Sequence, residues 1–103
     1  MTRPEIVEKI RQVMHGALPS AEIILYGSEA RGDARIDSDI DLLVLLDNEK
    51  VSFPERDFVI GLLYDIELEY ATEISPVIHS KKYWQSRPRD FFKENIEKEG
   101  IRL

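Results

Sequence analysis

The run Ile40-Asp41-Leu42-Leu43-Val44-Leu45-Leu46 constrains this chain more than any other segment. A short stretch with one polar member suits a buried strand, and Ala21 to Tyr26, rich in Ile and Leu, is a second stretch of that kind. Around them the periodicity changes. Ile6, Val7, Ile10, Val13 and Met14 form one apolar helical stripe, opened by a Thr2/Glu5 capping box and ended by Gly16, with Pro19 preventing its resumption. Ser52 and Glu55 form another capping box, which predicts a helix from about Pro54 to Ala71 with Phe58, Leu62, Leu63, Ile66 and Tyr70 on one face. Thr72 to His79 is a third strand, in which Pro76 calls for an edge or a bulge. Lys81 to Glu99 reads as helical, broken near Pro88 and stopped by Gly100. The order α-β-β-α-β-α, without linker or repeat, predicts a single α/β or α+β domain over residues 1–103.

Composition removes several classes of function. The 103 residues carry 14 Lys+Arg against 20 Asp+Glu, and a net charge of −6 argues against binding nucleic acid through bulk electrostatics. With no cysteine, disulfide scaffolds and thiolate-bound zinc are excluded. No apolar run approaches the roughly 20 residues of a membrane span, and Met1 to Glu5 lacks the apolar stretch of a signal peptide. A cytoplasmic protein is therefore expected. The charge is uneven: residues 1–80 sum to −9 and residues 81–103 to +3. The basic end is either a solvated helix face or an electropositive flank beside an acidic cleft.

The segment linking the first two strands is where chemistry is expected. Gly27-Ser28 follows directly on a strand, where glycine allows the backbone to approach a ligand closely. If Ser28 caps a short helix over Glu29 to Arg31, the free N–H groups there suit a phosphate. Asp39 and Asp41 alternate with Ile40, so both carboxylates project from one face of the second strand. Two ionised carboxylates so placed repel each other, and a divalent cation relieves that repulsion. Mg2+ binds through one or two carboxylates plus substrate phosphates. Two other motifs fail. Gly27 to Gly32 begins like a P-loop, but Asp33 stands where Lys is required. An EF-hand starting at Asp37 requires Gly at Leu42 and Glu at Asn48. A solvated acidic turn does not explain acids alternating with Ile and Leu.

These residues resemble a known family. Gly-Ser, ten intervening residues and Asp-x-Asp before an apolar strand is similar to the DNA polymerase β-type nucleotidyltransferase superfamily. Gly27-Ser28-Glu29-Ala30-Arg31-Gly32 with Asp37-Ser38-Asp39-Ile40-Asp41-Leu42 resembles its minimal nucleotidyltransferases (MNT proteins) of bacteria and archaea. Ile74 to Ile78 and Asn95 to Ile101 extend the likeness. The resemblance implies a mixed β-sheet flanked by helices that binds a nucleoside triphosphate with Mg2+, two ions being possible. It implies that Gly27, Ser28 and Arg31 contact the nucleotide and that Asp39 and Asp41 ligate metal. Such enzymes add a third carboxylate from a later strand. Glu73 is either that metal ligand and base or an exposed acid at the strand start.

Arg31 and Arg35 each touch a phosphate or pair with a nearby Asp, while Asp33 and Asp37 read as loop caps. His15 and His79 lack a His partner at metal spacing and read as structural or solvated. Tyr83-Trp84 and Phe91-Phe92 read as packing. The chain ends about 25 residues after its third strand, which leaves no room for an acceptor-holding domain. The acceptor is then expected on another chain. In the resembled family that chain is typically a HEPN-domain ribonuclease toxin, to which the MNT antitoxin transfers AMP from ATP. The alternatives are a weak or inactive module that neutralises its partner by contact, and a small-molecule nucleotidyltransferase acting as a homo-oligomer.

Overall fold

A computed structural model describes residues 3–103; the Thr2/Glu5 capping box lies partly outside the described residues. Nine elements follow one another: α1 (Arg3–Ala17), β1 (Glu22–Tyr26), α2 (Gly27–Arg31), β2 (Ile40–Leu46), α3 (Phe53–Tyr70), β3 (Ile74–Ser80), α4 (Lys81–Ser86), α5 (Phe91–Glu99) and β4 (Ile101–Arg102). The strands form one mixed sheet in the order β3-β2-β1-β4. β1 is antiparallel to both β2 and β4, and β2 is parallel to β3. A parallel pair needs a crossover, which α3 supplies. This is the expected α+β architecture, a mixed sheet flanked by helices.

The apolar run of β2 is explained by burial on both faces. Ile40, Leu42, Val44 and Leu46 pack with Ile6, Ile10 and Met14 of α1 and with Val59, Leu63 and Ile66 of α3. Leu43 and Leu45 face the other way, against Trp84 of α4 and Ile96 of α5. Asp41 is the one residue of β2 that is not buried. It belongs by alternation to the α4/α5 side, beyond the reach of that apolar cluster.

Several local expectations shift. Gly16 does not end α1: Leu18 N–H donates to the Met14 carbonyl at 2.8 Å, and the helix runs to Ala17. Pro19, which disfavours a helical Leu18, ends it instead. The Ser52/Glu55 capping box forms as expected. Of the expected inward face of α3, Leu63 and Ile66 are buried and Leu62 and Tyr70 pack against the core, but Val59 takes the buried place expected of Phe58, which is 51% exposed. The outward face carries Phe53, Ile60, Tyr64 and Leu68, so apolar residues lie on both sides of this helix and its sequence gives no clear stripe. Pro76 sits on β3, an edge strand, opposite Leu42. The break before Pro88 and the stop at Gly100 both occur, and the chain then adds the unexpected β4 beside β1. Among the described residues no helix is long and apolar enough to cross a membrane.

Candidate active site

The acids expected to act together do meet, at the end of the sheet where β2 begins. Asp41 lies opposite Tyr26 of β1 and Ser75 of β3. Glu73 immediately precedes β3, and its carbonyl accepts the Ile40 N–H at 2.9 Å, which brings it beside Asp39. Burial and then the Asp39 charge push the Asp41 carboxyl above its usual range, with Arg31 partly opposing them. Glu73 is raised first by a hydrogen bond with Asp39 and then by its charge. Burial and the Asp41 charge likewise raise Tyr26. Negative charge is therefore concentrated here beyond what neighbouring cations neutralise.

That donor set fits a hard divalent cation. Two carboxylates two residues apart, Asp41 on β2 and Asp39 immediately before it, supply oxygen ligands, and neutralising their mutual repulsion favours binding. Among the described residues, no three His, Asp or Glu side chains converge as a ready ligand group. A cation bound by Asp39 and Asp41 is thus completed by oxygens from elsewhere, as substrate phosphates are able to do.

Gly27 is fixed by the same carboxylate. Its φ of +74° lies in the left-handed region, and a Cβ there would collide with the Asp41 carboxylate. Ser28 does not cap α2: the helix begins at Gly27, Tyr26 occupies the cap position without a side-chain hydrogen bond, and Ser28 is the second helical residue. Gly32, at φ +81°, closes the helix, and Asp33 N–H returns to the Ser28 carbonyl at 3.1 Å. Gly27 nonetheless stands next to Asp41, with Ser28 following it in α2.

Arg31 is exposed and paired with Asp33 at 3.3 Å and with Glu99 at 3.3 Å. The Arg35 N–H donates to Ser38 Oγ at 2.9 Å, part of the turn that delivers Asp39.

Three supporting residues escaped the sequence reading. Ser75 Oγ donates to Asp39 Oδ2 at 3.0 Å and orients that carboxylate. Arg3 reaches from α1 to Glu29 at 2.6 Å and to the carbonyls of Ile36 and Ser38 at 3.2 and 2.7 Å, holding the loop before Asp39. Glu99 accepts from the Gly27 N–H at 3.2 Å. Ser75 was recoverable from the sequence: parallel pairing of Ile74-Ser75 with Ile40-Asp41 puts it opposite Asp41. Arg3 and Glu99 act across 26 or more residues, which no local pattern signals.

Other candidates take structural places. His15 Nε2 contacts the Leu103 carbonyl at 2.7 Å, and His79 packs on Tyr83 with ring centroids 4.5 Å apart. Trp84 is buried and Phe92 packs edge-on against Tyr26 and Trp84, but Phe91 is 86% exposed, contrary to the packing expected of it. It sits in the first turn of α5, where its side chain faces solvent. Six of the seven basic residues of 81–103 have polar partners. Lys81, Lys82, Arg87, Arg89 and Arg102 each pair with a carboxylate, and Lys93 Nζ donates to the carbonyls of Trp84 and Arg87. A cavity of about 370 Å³ lined by Ile24, Leu45, Trp84 and Ile96 contains none of Asp39, Asp41 and Glu73.

Comparison with known proteins bears on the family and the fold. The nucleotidyltransferase domain family matches residues 7–103. Two proteins of Methanocaldococcus jannaschii are each 33% identical to this chain. They are named "Putative protein adenylyltransferase MJ0604", over 93% of the chain and 88% of that protein, and "Putative protein adenylyltransferase MJ0141", over 79% and 76%. The fold superposes on a solved "putative minimal nucleotidyltransferase" with a TM-score of 0.67 and 26% identity, covering all of this chain and 97% of the other. A toxin–antitoxin structure with AMP-PNP gives a TM-score of 0.66 at 20% identity, covering 92% of this chain and 69% of that one. The MntA-HpeT toxin–antitoxin with a Y104A mutation gives 0.64 at 20% identity, covering 94% and 70%. By sequence and by fold, the chain belongs to the nucleotidyltransferase domain family.

Proposed function

We propose that this nucleotidyltransferase transfers AMP from Mg2+-bound ATP to a hydroxyl of a partner protein, and that the partner is the HEPN-type toxin of a toxin–antitoxin pair. The observation that carries the reading is the packing of Gly27 directly against Asp41, with Asp39 and Glu73 beside it. It joins a backbone turn suited to phosphates to a carboxylate pair suited to their counter-ion. The names of the two archaeal relatives support a protein acceptor, and the two toxin–antitoxin structures support a toxin as that acceptor. The HEPN class rests on the resemblance of the motifs to MNT antitoxins. On this reading residues 1–103 act as one domain in the cytoplasm, without binding nucleic acid directly.

In the proposed reaction the acceptor oxygen bonds to the α-phosphorus, the bond from that phosphorus to the bridging oxygen breaks, and pyrophosphate leaves. Bound Mg2+ would neutralise charge on the phosphates and align them. Asp39 and Asp41 hold that ion, Ser75 keeps Asp39 in orientation, and Gly27 and Ser28 receive the triphosphate. Glu73 takes the acceptor proton.

Ser75 favours a second reading. Directly opposite Asp41 stands a hydroxyl and not a third acid, so a chain with little transfer activity that neutralises its partner by contact is the alternative. Incubating the protein and its toxin with α-labelled ATP and Mg2+ separates the two. Label should appear on the toxin and disappear with Asp39→Ala or Asp41→Ala. Toxin neutralised without label, or label that survives either change, refutes transfer at this site.

A further inference from the structure

The last residue of α5 makes a contact that transfer does not require. Glu99 Oε1 accepts the Gly27 N–H at 3.2 Å and lies 3.3 Å from Arg31 Nη1, and Glu99 Oε2 lies 3.4 Å from the same nitrogen. One carboxylate thus engages both the backbone donor and the guanidinium assigned above to the nucleotide phosphates. Its position is not accidental fraying of a terminal helix. Gly100 N–H returns to the Ile96 carbonyl at 2.8 Å, β4 pairs with Ile24 and Leu25, and Leu103 N–H reaches the Ile23 carbonyl at 2.9 Å. A Cβ on Gly100 would fall 2.8 Å from Ile24 Cγ2, so only glycine lets the chain turn this closely onto β1. The backbone at Glu99 is therefore anchored beside Gly27, and only its side chain is free to leave.

We propose that the Glu99 carboxylate is a built-in stand-in for a phosphate: it occupies the Gly27 and Arg31 donors in the free protein and is displaced when a polyphosphate enters. The inference rests on the reading of Gly27 and Arg31 as nucleotide donors and adds to it a selection by charge. A monoanion brings no more charge than the carboxylate it must evict. A nucleoside tri- or diphosphate brings several charges and wins the exchange, because like charge so close to Glu99 drives that side chain away. The contact also keeps Arg31 from being satisfied by stray anions while its second partner, Asp33, holds it in the loop.

The test measures binding of ATP, ADP, AMP and adenosine, with Mg2+ present, to the wild type, Glu99→Gln and Glu99→Ala. Glutamine keeps an oxygen for the Gly27 N–H but removes the charge. Glu99→Gln is expected to lower the Kd for ATP and ADP by about fivefold, the size of one exposed charge pair, and to leave adenosine unchanged. Glu99→Ala is expected to act in the same direction. A residue that merely braces the loop predicts the reverse, weaker binding of every ligand, and that result or an unchanged Kd overturns the inference while leaving transfer intact. Failure of all three folded proteins to bind ATP overturns both readings. In the wild type, the 13C signal of the Glu99 side-chain carboxylate should move on addition of ATP and stay fixed on addition of adenosine; a signal unmoved by bound ATP also overturns the inference.

Discussion

Gly27→Ala tests the join between the phosphate turn and the carboxylates, and Gly32→Ala provides its control. Both glycines have left-handed backbones, φ +74° and +81°, so alanine at either position costs about 1–2 kcal/mol in conformational strain. The difference lies in what the new methyl meets. At Gly32 there is nothing within 4 Å, whereas at Gly27 the Asp41 carboxylate occupies the space. Asp41 must then turn aside, at about 0.5–1.5 kcal/mol for a displaced side chain. Gly27→Ala should accordingly lose about 1.5–3.5 kcal/mol against about 1–2 for Gly32→Ala. In a chain of this size the former corresponds to about 6–28 °C in thermal midpoint. Thermal unfolding checks the energies and labelling of the partner checks the function. Gly27→Ala should lose labelling at temperatures where it is fully folded, because the displaced group is a proposed metal ligand; Gly32→Ala should retain it. Equal stability losses with labelling intact in both would refute the assignment of Gly27 to the site.

Asp41→Asn should abolish labelling yet raise the thermal midpoint at pH 7 by a few degrees. The folded Asp41 pKa lies above its unfolded value, so its contribution favours the fold below the usual Asp range and is lost as pH rises through the raised value; the stability-versus-pH curve of Asp41→Asn should flatten across that window. Arg3→Ala removes a pair with Glu29 and two carbonyl contacts, so urea unfolding should show a loss of about 2 kcal/mol and the KM for ATP should rise as the loop before Asp39 loosens. Ser75→Ala should cost about 1 kcal/mol in stability and about tenfold in transfer rate, since it unfixes one Asp39 oxygen. Ala71, at φ +51°, closes α3 in a conformation that suits glycine, and Ala71→Gly should stabilise the chain by about 1 kcal/mol in the same unfolding assay.

What the sequence disclosed was local. The capping box at Ser52 and the unbroken apolarity of β2 are decided within a few residues, and both are present. Asp39 and Asp41 were legible as neighbours from their spacing, although β2 begins at Ile40 and Asp39 lies just before it. The inward face of α3 was legible in Leu62, Leu63, Ile66 and Tyr70 but not at Phe58 and Val59, because Phe53, Ile60, Tyr64 and Leu68 on its outer side obscure the stripe. Ser28 misled because a serine after glycine reads as a cap, whereas the turn from β1 starts the helix two residues earlier, at Gly27. β4 is two residues long and gains its strand identity only from β1, and Glu99 depends on that docking.

The sheet edges bear on how any partner is recognised. One edge is β4, whose two residues offer too short a ladder for an added strand, and the other is β3, interrupted by Pro76, which has no N–H to share. Backbone pairing with a foreign chain is discouraged on both sides, so recognition must run through side chains and loop surfaces. A partner held in that way is selected by its shape and charge, and point substitutions on either protein can retune the pairing without disturbing the fold.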